Sequence, residues 1–366
     1  MTDPPRYSKK EEIVIESGIG LTQDMLLLSP NAPRREYYSR KKEGEIKTMV
    51  HWGQRKLLMS ELEFLIFFWN PQEVPHPTIV YAGAACGDHI PLLLTFFPSI
   101  DSLHLYDPAP FNIQATDKIH IYNQLFTFKE AKEWAGRTDV FFISDIRTGD
   151  YTIMSSDENE LSILADMEFQ KQCVEIMNPV QSHLKFRLPY SDFDAKYLQL
   201  EYLDGYVFLQ PWAPYTSTET RLIPIRSPDS ENYQTKTWDA LKYEEQLFYH
   251  NTVNRSNQIY LNPLGFKNDL TPLNPPELHN DYDSVAEAFI LKSYFGKFGH
   301  SPSPKEVYNL SKWITAELNK YTKREKSIDL LRQKSIKMQY QELRKNKRKK
   351  KTYNRNKSEK MKKFKI

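Results

Sequence analysis

The sequence predicts an α/β fold with a mostly parallel sheet covered by helices on both faces. Three observations predict it. Short apolar, β-branched runs alternate with helical segments between residues 48 and 300, the pattern of strands buried on both sides. The first run, Thr78 to Ala82, turns through Gly83, three small residues and Gly87 into a helical segment, Ile90 to Phe97. The second run, Ser102 to Tyr106, ends on an acid, Asp107. That acid stands about twenty residues beyond the glycine turn, where α/β nucleotide folds place a ribose-binding carboxylate.

Taken in order, residues 1–45 hold several Pro and charged residues without sustained periodicity and read as an extended arm. From Thr48 to Phe68 the pattern is helical. Leu57, Leu58, Leu62, Leu65 and Ile66 make its apolar face, and Pro71 and Pro75 end it. Gln54 and Lys56 lie early in this helix; a lone lysine there is ordinarily a surface residue. After the glycine turn and the second strand, Pro108 stops the chain abruptly. Ile119 to Tyr122 is a third strand, followed by Leu125 and Phe126. Asp139 to Ser144 is a fourth and runs into Asp145, Ile146 and Arg147. An acid just past a strand's carboxyl end sits where this fold class binds ligands.

Asp157 to Met177 reads as a helix with Asp157 as its N-cap. Lys185 then alternates with apolar neighbours on a strand. Further strands are expected at Tyr206 to Leu209 and Thr218 to Ile225, with helices at Asp239 to Thr252, Tyr282 to Phe295 and Ser303 to Leu343. The spacing Gly-x-x-x-Gly is not the full dinucleotide fingerprint, so the turn alone reads equally as a plain βα connection. Lys56, Asp145, Lys185 and Glu219 come from four separate elements and could converge at the strand ends.

The chain has 366 residues, room for one large domain or two small ones. No apolar run is long enough to span a bilayer, and the charged, Pro-containing start does not read as a secretory signal. Two cysteines, Cys86 and Cys173, exclude a disulfide framework and a cysteine zinc site, and no metal is expected. They suit a reducing compartment. The net charge of +3 hides an asymmetry: Arg344 to Ile366 carries thirteen Lys or Arg against Glu359, leaving −9 on the rest. Such tails bind nucleic acid, serve as localisation signals or are simply solvated.

Several stretches carry a resemblance. They are Gly53-Gln54-Arg55-Lys56-Leu57-Leu58, Val80 to Ile90, Ile143-Ser144-Asp145-Ile146-Arg147, Leu184-Lys185-Phe186-Arg187-Leu188-Pro189-Tyr190, Leu209-Gln210-Pro211-Trp212-Ala213-Pro214, Glu219-Thr220-Arg221-Leu222 and Asp239 to Glu244. In this order and spacing, over residues 37–297, the chain resembles the poxvirus cap-specific mRNA nucleoside-2′-O-methyltransferases. These also serve as the small subunit of the viral poly(A) polymerase.

The resemblance implies a Rossmann-like methyltransferase using S-adenosylmethionine, acting in a cytoplasmic viral factory or a virion. It implies a methyltransferase domain at 46–300; outside the resemblance, the residues themselves read as a helical extension at 301–343 and a disordered basic tail at 344–366. Its partners would be capped mRNA and the polymerase's catalytic subunit, with no membrane. The family's catalytic Lys-Asp-Lys-Glu set falls on Lys56, Asp145, Lys185 and Glu219. Donor contacts fall on Gln54, Tyr81, Gly83, Gly87, Asp107 and Asp145, with Leu125 and Phe126 at the adenine wall. The cap would stack between Tyr190 and Tyr37, the latter with Tyr38 as its near equal by spacing, and be read by Asp192 and Glu244. Arg147, Arg187, Ser217 and Arg221 fall on transcript-binding positions. Two departures stand out: Cys86 replaces a family proline, and Pro108-Ala109 replaces Gly-Arg after Asp107. An RNA-binding polymerase subunit with little catalysis is the alternative.

Overall fold

A computed structural model describes residues 4–9, 11–38, 51–149, 154–228, 232–261 and 280–320. The central sheet has seven strands: β1 (Thr78–Ala82), β2 (Ser102–Tyr106), β3 (Ile119–Tyr122), β4 (Val140–Ser144), β5 (Gln181–Phe186), β6 (Gly205–Phe208) and β7 (Thr220–Pro224). Their order across the sheet is β6-β7-β5-β4-β1-β2-β3. Strands β1 to β5 run parallel, and β7 pairs antiparallel with both β5 and β6. This is the Rossmann-like α/β arrangement the sequence predicts. All residues of β1 and β4 are buried, which explains why both read as unbroken apolar runs.

The helices are α1 (His51–Phe68), α2 (Ile90–Phe96), α3 (Phe128–Glu133), α4 (Ser156–Met177), α5 (Ala240–Tyr249), α6 (Tyr282–Lys297) and α7 (Pro304–Lys320). Strand alternation sends Phe141 and His183 toward Phe64 of α1. It sends Tyr106 to the other face, against Phe126 and Trp134 beside α3. Helices α2, α6 and α7 pack on α1, and α3 packs on α4. Arg55 of α1 joins its layer electrostatically: its guanidinium pairs with buried Glu287 of α6 and donates to Thr315 of α7 at 3.1 Å.

Two expectations shift. Helix α4 is capped by Ser155, not Asp157, because Ser155 and Glu158 form a reciprocal capping box. The described residues within 1–45 form more than an extended arm. Arg6–Tyr7 pairs with Arg34–Arg35, Ser17–Gly20 pairs with Ile259–Leu261, and Leu26 is fully buried. The basic tail, and the expected helix beyond Lys320, lie outside the described residues. No described helix is long and apolar enough to cross a membrane.

Candidate active site

The chain runs from β1 outward to β2 and β3, then returns to the other side of β1 as β4. Ligand crevices open at the carboxyl ends of strands where the order reverses in this way. The carboxyl ends of β1 and β4 are joined: the Asp145 N–H donates to the Ala82 carbonyl at 2.9 Å. Gly83 has φ +78°, and a Cβ placed on it would lie 2.8 Å from the Asp145 carbonyl carbon. Only glycine permits both that conformation and that approach. Gly87, at φ +81°, closes the turn against Ile113 and Phe111.

The four residues expected to converge do so. Lys185 Nζ lies 3.0 Å from Asp145 Oδ1 and 3.5 Å from Glu219 Oε2. Lys56 Nζ donates to Glu219 Oε1 at 2.8 Å. Each arrives by a separate route: Lys56 from the first turns of α1, Asp145 after β4, Lys185 from β5 and Glu219 just before β7. Ser217 shapes the last approach, its Oγ accepting the Glu219 N–H at 3.1 Å.

A fifth member was expected elsewhere. Arg221, assigned by resemblance to RNA, is 1% exposed, and its Nη2 lies 2.6 Å from Asp145 Oδ1. It stands directly opposite Lys185 across the β5–β7 pair. Two cations in that register repel, and the Asp145 carboxylate between them holds them together. Arg147 adds a more distant contact, 3.7 Å to Glu219 and 3.6 Å to Asp166.

The charges set the protonation of the carboxylates. Burial alone would raise the Asp145 carboxyl, but Lys185 and Arg221 hold it down to about 2. Burial likewise opposes charge on Glu219, yet Lys185, Lys56 and Arg221 hold it well below the usual carboxylate range. Burial lowers the Lys56 ammonium, an effect that Glu219 partly offsets. The site is therefore two ionised carboxylates ringed by four basic side chains.

The expected donor residues lie near the same strand ends with different neighbours, and not all of them face outward. Asp107 accepts the Ala85 N–H at 3.1 Å and the Ala109 N–H at 2.8 Å, which fixes its carboxylate beside the glycine turn. Tyr81 points into the core, where its hydroxyl donates to Glu61 at 2.8 Å. Gln54 Oε1 accepts from His89. Phe126 is buried against Tyr106 and Phe142, whereas Leu125 is 61% exposed.

The expected cap residues sit around α5. Glu244 is buried and accepts the Ser191 N–H at 3.0 Å. Asp192 next to it is exposed. One face of Tyr190 carries the Arg187 guanidinium at 4.1 Å, and Arg187 pairs with buried Glu160. Tyr37 is 51% exposed and meets Phe248 of α5 edge-on, as does Tyr38.

Glu61, His89, Glu160, Glu245 and Asp166 escaped the sequence reading. Glu160 had a signal: it occupies a position in the rhythm of Ile163, Met167 and Val174 where an apolar residue belongs.

A family model described as the poly A polymerase regulatory subunit matches residues 26–320. The chain belongs to that family. The match reaches past residue 297, so α6 and α7 are family elements in full. Among curated relatives, a cap-specific mRNA (nucleoside-2′-O-)-methyltransferase of Myxoma virus (strain Lausanne) is 29% identical over 225 residues, or 59% of this chain. The chain spans 65% of that relative's length. A Fowlpox virus (strain NVSL) protein of the same description is 29% identical over 237 residues, 59% of this chain and 72% of the relative.

Proposed function

We propose that the protein methylates the ribose 2′-hydroxyl of the first transcribed nucleotide in N7-methylguanosine-capped RNA, with S-adenosylmethionine as donor. One observation carries this reading: Lys185 Nζ stands between Asp145 and Glu219, beside the glycine turn at the sheet's switch point. The descriptions of the myxoma and fowlpox relatives support it.

The residues present suit the donor. Gly83 and Gly87 leave the turn without side chains, Asp107 is fixed where it can accept from ribose hydroxyls, and Gln54 keeps its amide N–H groups uncommitted among the described residues. S-adenosylmethionine bound there would supply a methyl group on a sulfonium, and Asp145 would face it. Pro108-Ala109 brings no cation to replace the family's arginine.

A ribose hydroxyl is a poor nucleophile until its proton is taken as it attacks. Lys185, as the free amine, is placed to take it. Asp145 and Glu219 orient its ammonium product, and Lys56 and Arg221 keep those carboxylates from dominating the field. The excess of cations favours negative charge growing on a bound hydroxyl oxygen. At the other end, a cationic base would stack on the face of Tyr190 opposite Arg187, with Tyr37 as the second ring. Glu244 and Asp192 would accept its N–H groups as charge-assisted bonds.

The family description supports a second role, as an RNA-binding regulatory subunit of a viral poly(A) polymerase. The two roles are compatible. One assay separates them: transfer of labelled methyl to RNAs that are uncapped, guanosine-capped or N7-methylguanosine-capped. Label is expected on the 2′-oxygen of the last alone, reduced about a hundredfold or more in Lys185→Ala. Full activity in that variant would remove Lys185 as the base. Cap-dependent binding without transfer, abolished by Glu244→Ala, would leave only the regulatory role.

A further inference from the structure

A row of buried polar groups runs from the sheet to the crevice, and neither the resemblance nor the proposed chemistry uses its centre. Tyr81 of β1 donates its hydroxyl to Glu61 Oε1 at 2.8 Å. His89 Nε2 lies 3.0 Å from the same oxygen. His89 Nδ1 lies 2.7 Å from Gln54 Oε1. His89 is 1% exposed and Glu61 is fully buried.

The row fixes which way the Gln54 amide faces. The His89 backbone N–H, which can only donate, also reaches Gln54 Oε1 at 3.2 Å. The oxygen of the amide must therefore be the atom facing His89, and Nδ1 must carry a hydrogen to meet it. Reversing the amide would turn an N–H group against the buried His89 backbone donor, a cost no solvent relieves. On its far side Gln54 is left with donors alone. Donors suit a carboxylate and reject an ammonium. An amino-acid ligand carries both groups.

We infer that His89 is a positioning residue that locks the Gln54 amide with its N–H groups toward the carboxylate of the methyl donor's amino-acid part. The inference rests on the donor reading above. His89 touches no ligand itself. It acts through Gln54, and Glu61 and Tyr81 hold it from behind.

The test is calorimetric titration with S-adenosylhomocysteine and with its decarboxylated analogue. Wild type is expected to favour the carboxylate-bearing ligand. His89→Gln keeps a group near the Nε2 position and loses the Nδ1 contact. It is expected to weaken S-adenosylhomocysteine about tenfold while leaving the decarboxylated analogue nearly unchanged. His89→Asn keeps a donor at the Nδ1 position and is expected to restore most of the loss. Gln54→Met should show the same selective loss, and His89→Gln added to it should cost nothing more. Equal weakening of both ligands in His89→Gln, or no weakening, would overturn the inference even with wild type binding both. If wild type binds neither ligand, the donor reading itself fails and this inference falls with it.

Discussion

Asp145 is the residue on which the site's charges balance. Its Oδ1 meets Lys185 at 3.0 Å and Arg221 at 2.6 Å. Removing its charge leaves the two cations opposed across β5 and β7 with only Glu219 near them, 3.5 Å from Lys185 and 3.9 Å from Arg221, and breaking a buried pair from one side is costly. Its carboxyl titrates lower in the folded protein, about 2, than the ordinary value of 3.8. A depressed carboxyl contributes stability above its unfolded value and loses it as pH falls toward its folded value. Asp145→Asn is therefore expected to be less stable than wild type at pH 7, with the difference shrinking from about pH 4 downward. Denaturant unfolding at pH 7, 5, 4 and 3 reads this directly, and a difference that ignores pH would contradict it. Lys56, Asp145, Lys185 and Glu219 were legible in the sequence because each sits in a recognisable motif. Arg221 was legible as a residue but not in its role. Its partner is fixed by strand register, which no local pattern encodes.

At the scale of elements, α5 is the most heavily used segment. Adjacent residues divide its work. Glu244 faces the proposed cap site, while Glu245, almost fully buried, takes Arg6 at 2.6 Å and Arg34 at 2.8 Å. Gln246 adds bonds from its side-chain amide to the carbonyls of Ser29, Pro30 and Ala32. These contacts hold the N-terminal strands against α5 and bring Tyr37 and Tyr38 to Phe248. Glu245→Gln removes the charge that two arginines share. Limited proteolysis should then cut within residues 4–38 several-fold faster while the central sheet stays protected. Unchanged cleavage would show that the Gln246 bonds suffice alone. The sequence read this segment as an extended arm because strands of two to four residues leave no periodic signal. The strands Gln199–Leu203 and Thr235–Asp239 escaped for a related reason: each is half exposed and mixed in character. By contrast β1 and β4, buried on both faces, declared themselves as apolar runs.

For the whole molecule, the distribution of charge sets how it would meet RNA under the proposed function. The site is locally cationic, yet the chain outside Arg344 to Ile366 carries −9. A polyanion approaching that body is repelled at long range and attracted only near the crevice. The +12 on residues 344–366 reverses the balance. Each phosphate neutralised by a lysine or arginine releases counterions, so affinity falls with salt in proportion to the contacts made. Thirteen basic residues set an upper bound of about 9 on the tail's share of the slope of log affinity against log salt for single-stranded RNA. Deleting 344–366 should flatten that slope by several units. It should weaken uncapped and capped RNA by similar factors at low salt, and leave the preference for the cap intact, since Tyr190, Asp192 and Glu244 remain. An unchanged slope would mean that the tail does not touch RNA. A lost cap preference would mean that it helps build the site rather than merely drawing RNA to it.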